Sequence, residues 1–369
     1  GIPKEKQTTG DVRIEFYAAI KTAEPFLPAG TVIAREQTYV HTFYKKEATA
    51  QQPATSKEEG NLVAFSGPDF KATFDKQSGL LTSYLYKKHE YILNGQGPRP
   101  FFWRAPTDND YGANLPVRLK AWKEASYQEP KAESFQVTPG SNATTIKVTY
   151  RFPQTDARWD ITYKIYASGV IKVDNRFVAE GDQAPMIPRV GLRMQLPESF
   201  TDLTYYGRGP KENYRDRRTS QFIGEYAIPV KDMYEPYVRP QENNHRTDIY
   251  WCALTDKTQR GLLLIADRTF ELNASNYPLE SMDSGDTIDN GAPRTEKTHH
   301  RHLTDPLPEK MVDLFIDYRM MGVGGDDSWG ATAHEPYLIR PGKENTIEYG
   351  FSLVPFDKKE DYKYLIRQY

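Results

Sequence analysis

Short runs in which apolar and polar residues alternate recur along most of the chain. In residues 12–20 the apolar side chains of Ile14, Phe16 and Ala18 fall on one face, and residues 31–40 repeat the pattern after a turn-forming stretch. A period of two is typical of β-strands, because successive side chains point to opposite faces. Similar runs are NLVAF, KATFD, LLTSYLY, TTIKVTYRF, WDITYKIYA, VIKVDNRFV, GLRMQL, DLTYYG, GLLLIA and NTIEYGFSLV. The pattern predicts an all-β protein.

Turn-forming residues separate these runs, which favours antiparallel strands joined by hairpins and loops. Residues 162–177 predict a hairpin that turns at Ser168 and Gly169. Helical periodicity is scarce, and the best candidate for a short helix is 114–127. The sequence has no glycine-rich phosphate loop, no dinucleotide-binding fingerprint, no paired-cysteine metal site and no repeat of fixed period.

One polar stretch divides the chain unequally. Residues 49–60 have no apolar period, and we interpret them as a linker. Only about two strands precede it, too few for a stable sandwich. Residues 1–48 are therefore predicted to be the last strands of an incomplete domain, and residues 61–369 to form one large domain. We interpret the chain as a fragment of a longer protein.

Composition excludes some classes of partner. The 48 Lys and Arg residues nearly balance the 50 Asp and Glu residues, which gives no electrostatic reason to expect nucleic acid or an anionic membrane. No apolar run is long enough to span a bilayer, and the single cysteine, Cys252, excludes an internal disulfide. Aromatic residues make up 13% of the chain, which suits pleated sheets and also supplies flat faces for stacking on sugars.

Two aspartates near residue 109 are the first candidates for chemistry. In an extended segment Asp108 and Asp110 would point to the same side, with Cα atoms roughly 6.6 Å apart. Such carboxylates could act as acid and base on a glycoside or hold a cation. The alternative, which we favour, is that they cap an irregular loop, with Arg104 as an ion partner.

Three other segments carry weaker signals. Residues 205–220 are rich in arginines and acids, and we favour an ion-paired loop over a phosphate site. The tyrosines of 232–246 could line a carbohydrate groove or pack over a sheet edge. His300 and His302 would share a face of a strand, but no third or fourth ligand has the spacing of a zinc site, so we favour exposed histidines.

A tryptophan stands on an unusual loop, GGDDSWG. Gly324 and Gly325 predict a turn, and Asp326 or Asp327 can fix it by accepting hydrogen bonds from backbone amides. Held in this way, Trp329 could present a flat face to a ligand. Alternatively, a loop tryptophan folds back over the core of its own domain. The sequence alone does not separate these two interpretations.

Taken in order, five segments resemble the C-terminal part of the family-two β-galactosidases, which are large multidomain glycoside hydrolases. The match runs from about residue 12 to the C terminus. The resemblance implies that residues 1–48 end an immunoglobulin-like linking domain. It implies that the rest forms a large antiparallel super-sandwich similar to galactose mutarotase. The segments are RAPTDNDYG (104–112), GRGPKENYRDR (207–217), MYEPYVRPQEN (233–243), THHRHL (298–303) and GVGGDDSW (322–329).

The catalytic glutamates of that family lie in a TIM barrel, and no alternation of strands and helices typical of a barrel occurs here. The resemblance therefore implies a chain without catalytic residues, metal ligands or a cofactor of its own. Any Mg²⁺ or Na⁺ would bind in the absent barrel. The implied partners are a β-galactoside and the barrel of the same full-length protein, which could be a homo-oligomer. The compartment stays open between bacterial cytoplasm and periplasm.

The resemblance also implies which residues contact substrate. Trp329 matches a loop tryptophan that reaches the active site of the barrel, and we place Asp327 and Gly112 beside it. The segment from Gly112 to about Leu119 matches a loop that moves on ligand binding, but its early Pro116 departs from the family pattern, so mobility is not carried over. Two alternatives remain: a self-sufficient carbohydrate-binding module and, less favoured, an enzyme similar to aldose epimerases.

Overall fold

The structure is a computed structural model, and it describes residues 10–43, 51–179, 186–284, 302–327, 329–340, 342, 346–358 and 360–368. The chain divides into two compact units, residues 1–49 with 363–369 and residues 50–362. Each unit is considered by itself. The assignment of the first residues to an immunoglobulin-like linking domain, and the boundaries at 48 and 60, stay predictions.

The smaller unit contains an antiparallel hairpin, β1 (Gly10–Ala19) and β2 (Val32–Phe43). Its large apolar side chains Phe16, Ile33 and Tyr39 are all more than half exposed. Two strands alone cannot bury an apolar face, because a sheet needs a second layer or further strands to cover it.

A five-stranded sheet opens the larger unit. Its strands follow one another in chain order and pair antiparallel. They are β3 (Thr55–Glu59), β4 (Leu62–Ser66), β5 (Phe70–Asp75), β6 (Leu81–Tyr86) and β7 (His89–Glu90). The interpretation of residues 49–60 as a linker misses β3. All five side chains of β3 are exposed, so this edge strand carries no apolar alternation that the sequence could reveal.

A twelve-stranded antiparallel sheet makes up most of the larger unit. Its main path runs β15-β14-β16-β17-β19-β12-β11-β10-β9, while β18 pairs with β17 and β13, and β13 pairs with β8. The strands are β8 (Arg99–Phe101), β9 (Ala132–Thr138), β10 (Thr144–Phe152), β11 (Ala157–Ile165), β12 (Ile171–Ala179), β13 (Arg189–Pro197), β14 (Asp202–Gly209), β15 (Phe222–Pro229), β16 (Arg246–Thr255), β17 (Gly261–Ser275), β18 (Met311–Met320) and β19 (Ile347–Phe356). The all-β antiparallel prediction is confirmed.

The predicted hairpin and the predicted helix are both present. Strands β11 and β12 pair antiparallel around Ser168 and Gly169, and Gly169 has a φ of +92° that favours glycine. Residues 114–127 form α2 (Leu115–Arg118) and α3 (Lys120–Tyr127). Two further short helices are α1 (Asp108–Gly112) and α4 (Tyr362–Leu365).

Aromatic packing joins the α3 helix to the large sheet. The ring of Phe102 lies 5.0 Å from Trp122 of α3, 5.6 Å from Trp159 and 5.5 Å from Phe177, measured between centroids. All four side chains are almost completely buried. Edge-on and tilted contacts of this kind stabilise a core beyond the burial of area alone. These contacts hold Phe102 in the core, and with it the start of the segment that continues to Arg104 and α1.

Within the described ranges, no helix combines the length and the apolar composition required to cross a membrane. In the same part of the chain, no group of three or more His, Cys, Asp or Glu side chains is arranged to hold a metal ion.

Candidate functional site

Trp329 lies on the surface. Its side chain is 89% exposed, so the alternative in which the indole covers the core of its own domain is excluded. We call residues 321–334 the tryptophan loop; the structure describes all of it except residue 328. The loop follows β18, which is buried along most of its length. An exposed indole therefore projects from a segment that begins at the core.

Arg104 anchors the start of the tryptophan loop. Its guanidinium is 2% exposed, and Nη1 and Nη2 donate hydrogen bonds to the carbonyl oxygens of Met321 and Gly322 at 2.7 and 3.0 Å. The same guanidinium donates two hydrogen bonds to the carboxylate of Asp110. Burial by itself lowers the pKa of Arg104, but Asp110 outweighs it and raises the pKa above its ordinary value. Arg104 therefore stays charged while buried.

Asp216 holds the next two residues from the other side. Its carboxylate oxygens accept hydrogen bonds from the backbone amides of Val323 and Gly324 at 3.2 and 2.7 Å. A Cβ atom at Gly322 would lie 2.5 Å from Asp216 Oδ2 and 2.8 Å from the Cβ of Ala333. Glycine at position 322 therefore permits the close approach that these hydrogen bonds need.

Asp327 shapes the turn that carries the indole. Its Oδ1 accepts hydrogen bonds from the backbone amides of Trp329 and Ala331 at 2.8 and 3.2 Å. These hydrogen bonds, that of Trp329 first, lower the pKa of Asp327 below its ordinary value. Its neighbour Asp326 pairs instead with His334 at 2.8 Å. Of the two aspartates proposed from the sequence to fix this turn, Asp327 makes the contacts.

Gly112 lies beside the tryptophan loop. It ends α1, and a Cβ built at Gly330 would lie 3.7 Å from the carbonyl oxygen of Gly112. In addition, the Nδ2 atom of Asn109 donates a hydrogen bond to the carbonyl of Val323 at 3.0 Å. The three predicted residues Gly112, Asp327 and Trp329 therefore belong to two adjoining segments. Their role as substrate contacts stays a prediction.

The segment after Gly112 is folded as α2 rather than extended. Leu115, Pro116 and Leu119 are buried, and Pro116 occupies the first turn, where its missing N–H has no partner to lose.

Asp108 and Asp110 do not form a facing pair. Residues two apart on a helix point in different directions, so the expectation from an extended segment is wrong for this turn of α1. Thr107 and Asp110 form a capping box, with mutual hydrogen bonds of 3.0 and 3.2 Å. The favoured alternative is confirmed for Asp110, which caps α1 and pairs with Arg104, whereas Asp108 lies 3.5 Å from Arg239.

The arginine-rich segment is an ion-paired loop, as predicted. Arg208 and Arg218 both pair with Asp248, at 2.8 and 3.0 Å, and Arg217 pairs with Glu212 at 2.5 Å. These acids pair with three of the four arginines in the segment, and the fourth, Arg215, lies 3.6 Å from Glu271.

The tyrosines of 232–246 contact their own domain. Tyr234 stacks on Tyr277 with 4.1 Å between ring centroids, and the hydroxyl of Tyr237 donates a hydrogen bond to Glu212. Of the predicted histidine pair, His300 lies outside the described residues, so the choice between exposed histidines and a metal site stays a prediction.

Sequence reasoning did not identify a buried histidine–carboxylate pair. His245 Nε2 lies 2.9 Å from Glu271, and Nδ1 lies 2.6 Å from Asn273. Burial lowers the pKa of His245, but Glu271 and other acids raise it overall. His245 is completely buried and Glu271 nearly so, which closes the pair to a sugar. The arrangement gives no support to an epimerase-like reaction.

Known proteins resemble the chain over most of its length. A family model described as the β-galactosidase small chain matches residues 66–353. A β-galactosidase from Priestia megaterium is 33% identical over 83% of this chain and 28% of its own length. One from Lactobacillus delbrueckii subsp. bulgaricus is 30% identical over 91% of this chain and 31% of its own. The chain thus spans about 30% of the length of these relatives.

Among solved structures, galactose 1-epimerase from Lactobacillus acidophilus aligns over 84% of this chain and 99% of its own, with 6% identity and a TM-score of 0.43. That likeness is too weak to support an inference about function. The family match and the identities to the two relatives are sufficient by themselves: the chain belongs to the β-galactosidase small-chain family.

Proposed function

We propose that the chain is the C-terminal accessory part of a β-galactosidase that hydrolyses terminal non-reducing β-D-galactose residues. Its tryptophan loop would complete a substrate site whose catalytic groups lie in a TIM barrel outside this sequence. The observation that carries the proposal is the 89% exposure of Trp329 on a loop anchored by Arg104 and Asp216.

The exposure of Trp329 is energetically unfavourable for the chain alone. A tryptophan that packs into a core removes about 150–250 Å² from water, which at about 25 cal/mol per Å² would contribute about 4–6 kcal/mol. Because Trp329 is exposed, the tryptophan loop lacks most of this stabilisation, although a buried ion pair and several backbone hydrogen bonds hold the loop in place. A ligand that covers the indole would remove part of its surface from water and so restore part of the stabilisation. The apolar C–H face of a sugar ring has the right chemistry.

The acids around the indole are committed to structural roles. Asp327 accepts two backbone amides, and Asp110 is paired with Arg104. Glycoside hydrolysis needs two carboxylates free to donate a proton and to attack or activate water. We therefore assign this chain binding and positioning of the sugar, and the bond-breaking steps to the barrel. Gly112 would border the same site through its contact with Gly330.

The test is the variant Trp329→Ala in the full-length enzyme, assayed with an aryl β-galactoside and with lactose. We expect KM to rise about tenfold, equivalent to about 1.4 kcal/mol of lost binding, with a smaller change in kcat because no proton-transfer group is removed. Trp329→Phe keeps an aromatic face, so its KM should lie between those of the wild type and Trp329→Ala. Leu62→Ala removes an exposed apolar side chain of β4 and should change nothing. Unchanged kinetics for Trp329→Ala would refute the proposed role.

A further inference from the structure

A second concave surface lies on the twelve-stranded sheet. It is a groove of about 820 Å³ lined by residues of β10, β11, β12, β16, β17, β18 and β19 and by Arg215 and Thr346. Its volume falls within the range of small-ligand sites, roughly 300–1,000 Å³. None of the lining residues belongs to the tryptophan loop or to residues 104–112. We call it the sheet groove. Nothing in the proposed function uses it.

Several acids of the sheet groove are already neutralised. Lys172 pairs with Asp174 at 3.4 Å and also with Asp267, and Arg176 lies 3.5 Å from Glu348. The first pair lies within β12, the second joins β12 to β17 and the third joins β12 to β19, so each of these three carboxylates has a cation nearby. These acids offer few free acceptors to a ligand.

Two guanidinium groups of the sheet groove, those of Arg215 and Arg319, are less well compensated. The Nε atoms of Arg215 and Arg319 are buried and, in the described part of the chain, have no hydrogen-bond partner. Arg215 lies 3.6 Å from Glu271, whose other oxygen already faces His245. Among the described residues no carboxylate pairs with Arg319. Burial, and the charges of Arg319 and Arg218, lower the pKa of Arg215 although Glu271 and Asp248 oppose the shift.

Aromatic rings and a buried amide also line the sheet groove. The guanidinium of Arg319 lies 5.0 Å above the ring of Tyr318, which is 6.1 Å from Tyr349. Next to Tyr349 in the adjacent strand stands Asn175, which is 4% exposed. Its Oδ1 accepts a hydrogen bond from Trp159, while its Nδ2 has no partner in the structure described. The sheet groove therefore contains aromatic rings together with guanidinium and amide donors that lack an acceptor among the described residues.

We propose that the sheet groove binds an acidic saccharide, a sugar that carries a carboxylate or a sulfate. The anionic group would lie between Arg215 and Arg319, because planar guanidinium groups bind such oxyanions through two parallel hydrogen bonds. The sugar ring would pack against Tyr318. A long polyanion is disfavoured because the same groove is also lined by acids, among them Asp160, Asp174 and Glu348.

Calorimetric titration of the 369-residue chain tests the proposal, with trigalacturonic acid, a sulfated galactose disaccharide and neutral galactotriose as probes. We expect at least one of the two acidic probes to bind at least tenfold more tightly than galactotriose. We also expect binding to weaken as NaCl is raised, since salt screens a partly exposed charge. Equal affinity for acidic and neutral sugars, or no binding of either acidic probe, would overturn the proposal.

Variants locate the site. Arg319→Gln should weaken binding of the acidic probe at least tenfold, whereas Arg151→Gln, an exposed arginine of β10 paired with Glu133, should leave it unchanged. Trp329→Ala should also leave it unchanged, so a failure of the proposed active-site role is distinguishable from a failure of this one. Circular dichroism shows whether Arg319→Gln folds. If it does not, Arg268→Gln replaces it, because Arg268 is an exposed arginine that also lines the sheet groove. An unchanged affinity of Arg268→Gln for the acidic probe then counts against the proposal.

Discussion

Arg104 shows how one side chain can tie two separate segments together. It is buried, it pairs with Asp110 six residues away, and it donates to two carbonyl groups more than two hundred residues further along the chain. A charge at that depth is tolerated because each of its three nitrogen atoms donates to an oxygen acceptor. Removing one partner of such a pair leaves the other uncompensated, which is more unfavourable than losing both.

We expect Arg104→Ala to lower the free energy of unfolding by about 3–5 kcal/mol, because it leaves the buried carboxylate of Asp110 without its cation. Urea denaturation followed by fluorescence measures this directly. The matched control is Arg340→Ala, which breaks an exposed pair with Glu335 and should change stability by less than about 1 kcal/mol. Equal effects of the two variants would show that Arg104 does not stabilise the tryptophan loop as described.

The limit of sequence reasoning at this scale is visible at Asp216. The sequence placed this residue in an ion-paired loop, and its arginine neighbours do form such pairs. Its own carboxylate, however, accepts amides that lie 107 and 108 positions away. No local pattern records a contact of that separation. Trp329 was recognisable because its loop composition is unusual within seven consecutive residues.

At the scale of elements, the sequence predicts strands that have one buried face and misses those that do not. The hairpin of β11 and β12 largely alternates buried and partly buried positions and was predicted with its turn. Strand β3 is exposed throughout and was taken for a linker. Helix α1 has only five residues, too short for an apolar period, so its aspartates were assigned the geometry of an extended segment.

The pairing of β17 and β18 places two acids side by side in the core. Glu271 faces Asp317 across the strands, and both are nearly inaccessible to solvent. Burial raises the pKa of Asp317 to about 7, although Arg189 and His245 act in the opposite direction. The folded state therefore retains a proton on Asp317 at pH values where the unfolded chain has lost it.

This linkage predicts a fall in stability as the pH rises from about 4 to about 7. In that window the folded state binds more protons than the unfolded state, so the contribution is present at low pH and lost as Asp317 ionises. Asp317→Asn cannot ionise, and its stability relative to the wild type should increase between pH 5 and pH 8. Between pH 5 and the pKa of about 7, this change in relative stability amounts to at most about 3 kcal/mol, at about 1.4 kcal/mol per pH unit. If the difference in unfolding free energy between Asp317→Asn and the wild type were the same at pH 5 and pH 8, the raised pKa of Asp317 would be contradicted.

For the whole molecule, overall composition conceals the arrangement of charge. A formal net charge of -2 gave no reason to expect an anionic ligand, and it is an average over the chain. The sheet groove contains both acids that are paired with cations and two arginines whose Nε atoms have no acceptor in the described part of the chain. Strands from distant parts of the sequence line the groove, so only the folded sheet brings these charges together. Composition limits the class of protein, while topology decides where its charges lie.

The proposed division of labour between this chain and a barrel makes a prediction about the complete enzyme. Because the acids nearest Trp329 are held by Arg104 and by backbone amides, the 369-residue chain alone should not hydrolyse an aryl β-galactoside. Added to a separately produced barrel-containing remainder, it should restore turnover, since it supplies the missing wall of the site. A chain carrying Trp329→Ala should restore kcat with a KM raised about tenfold, or about 1.4 kcal/mol.

Turnover by the chain alone, in a preparation free of the barrel, would contradict this division. Restoration by the variant with an unchanged KM would place the sugar elsewhere.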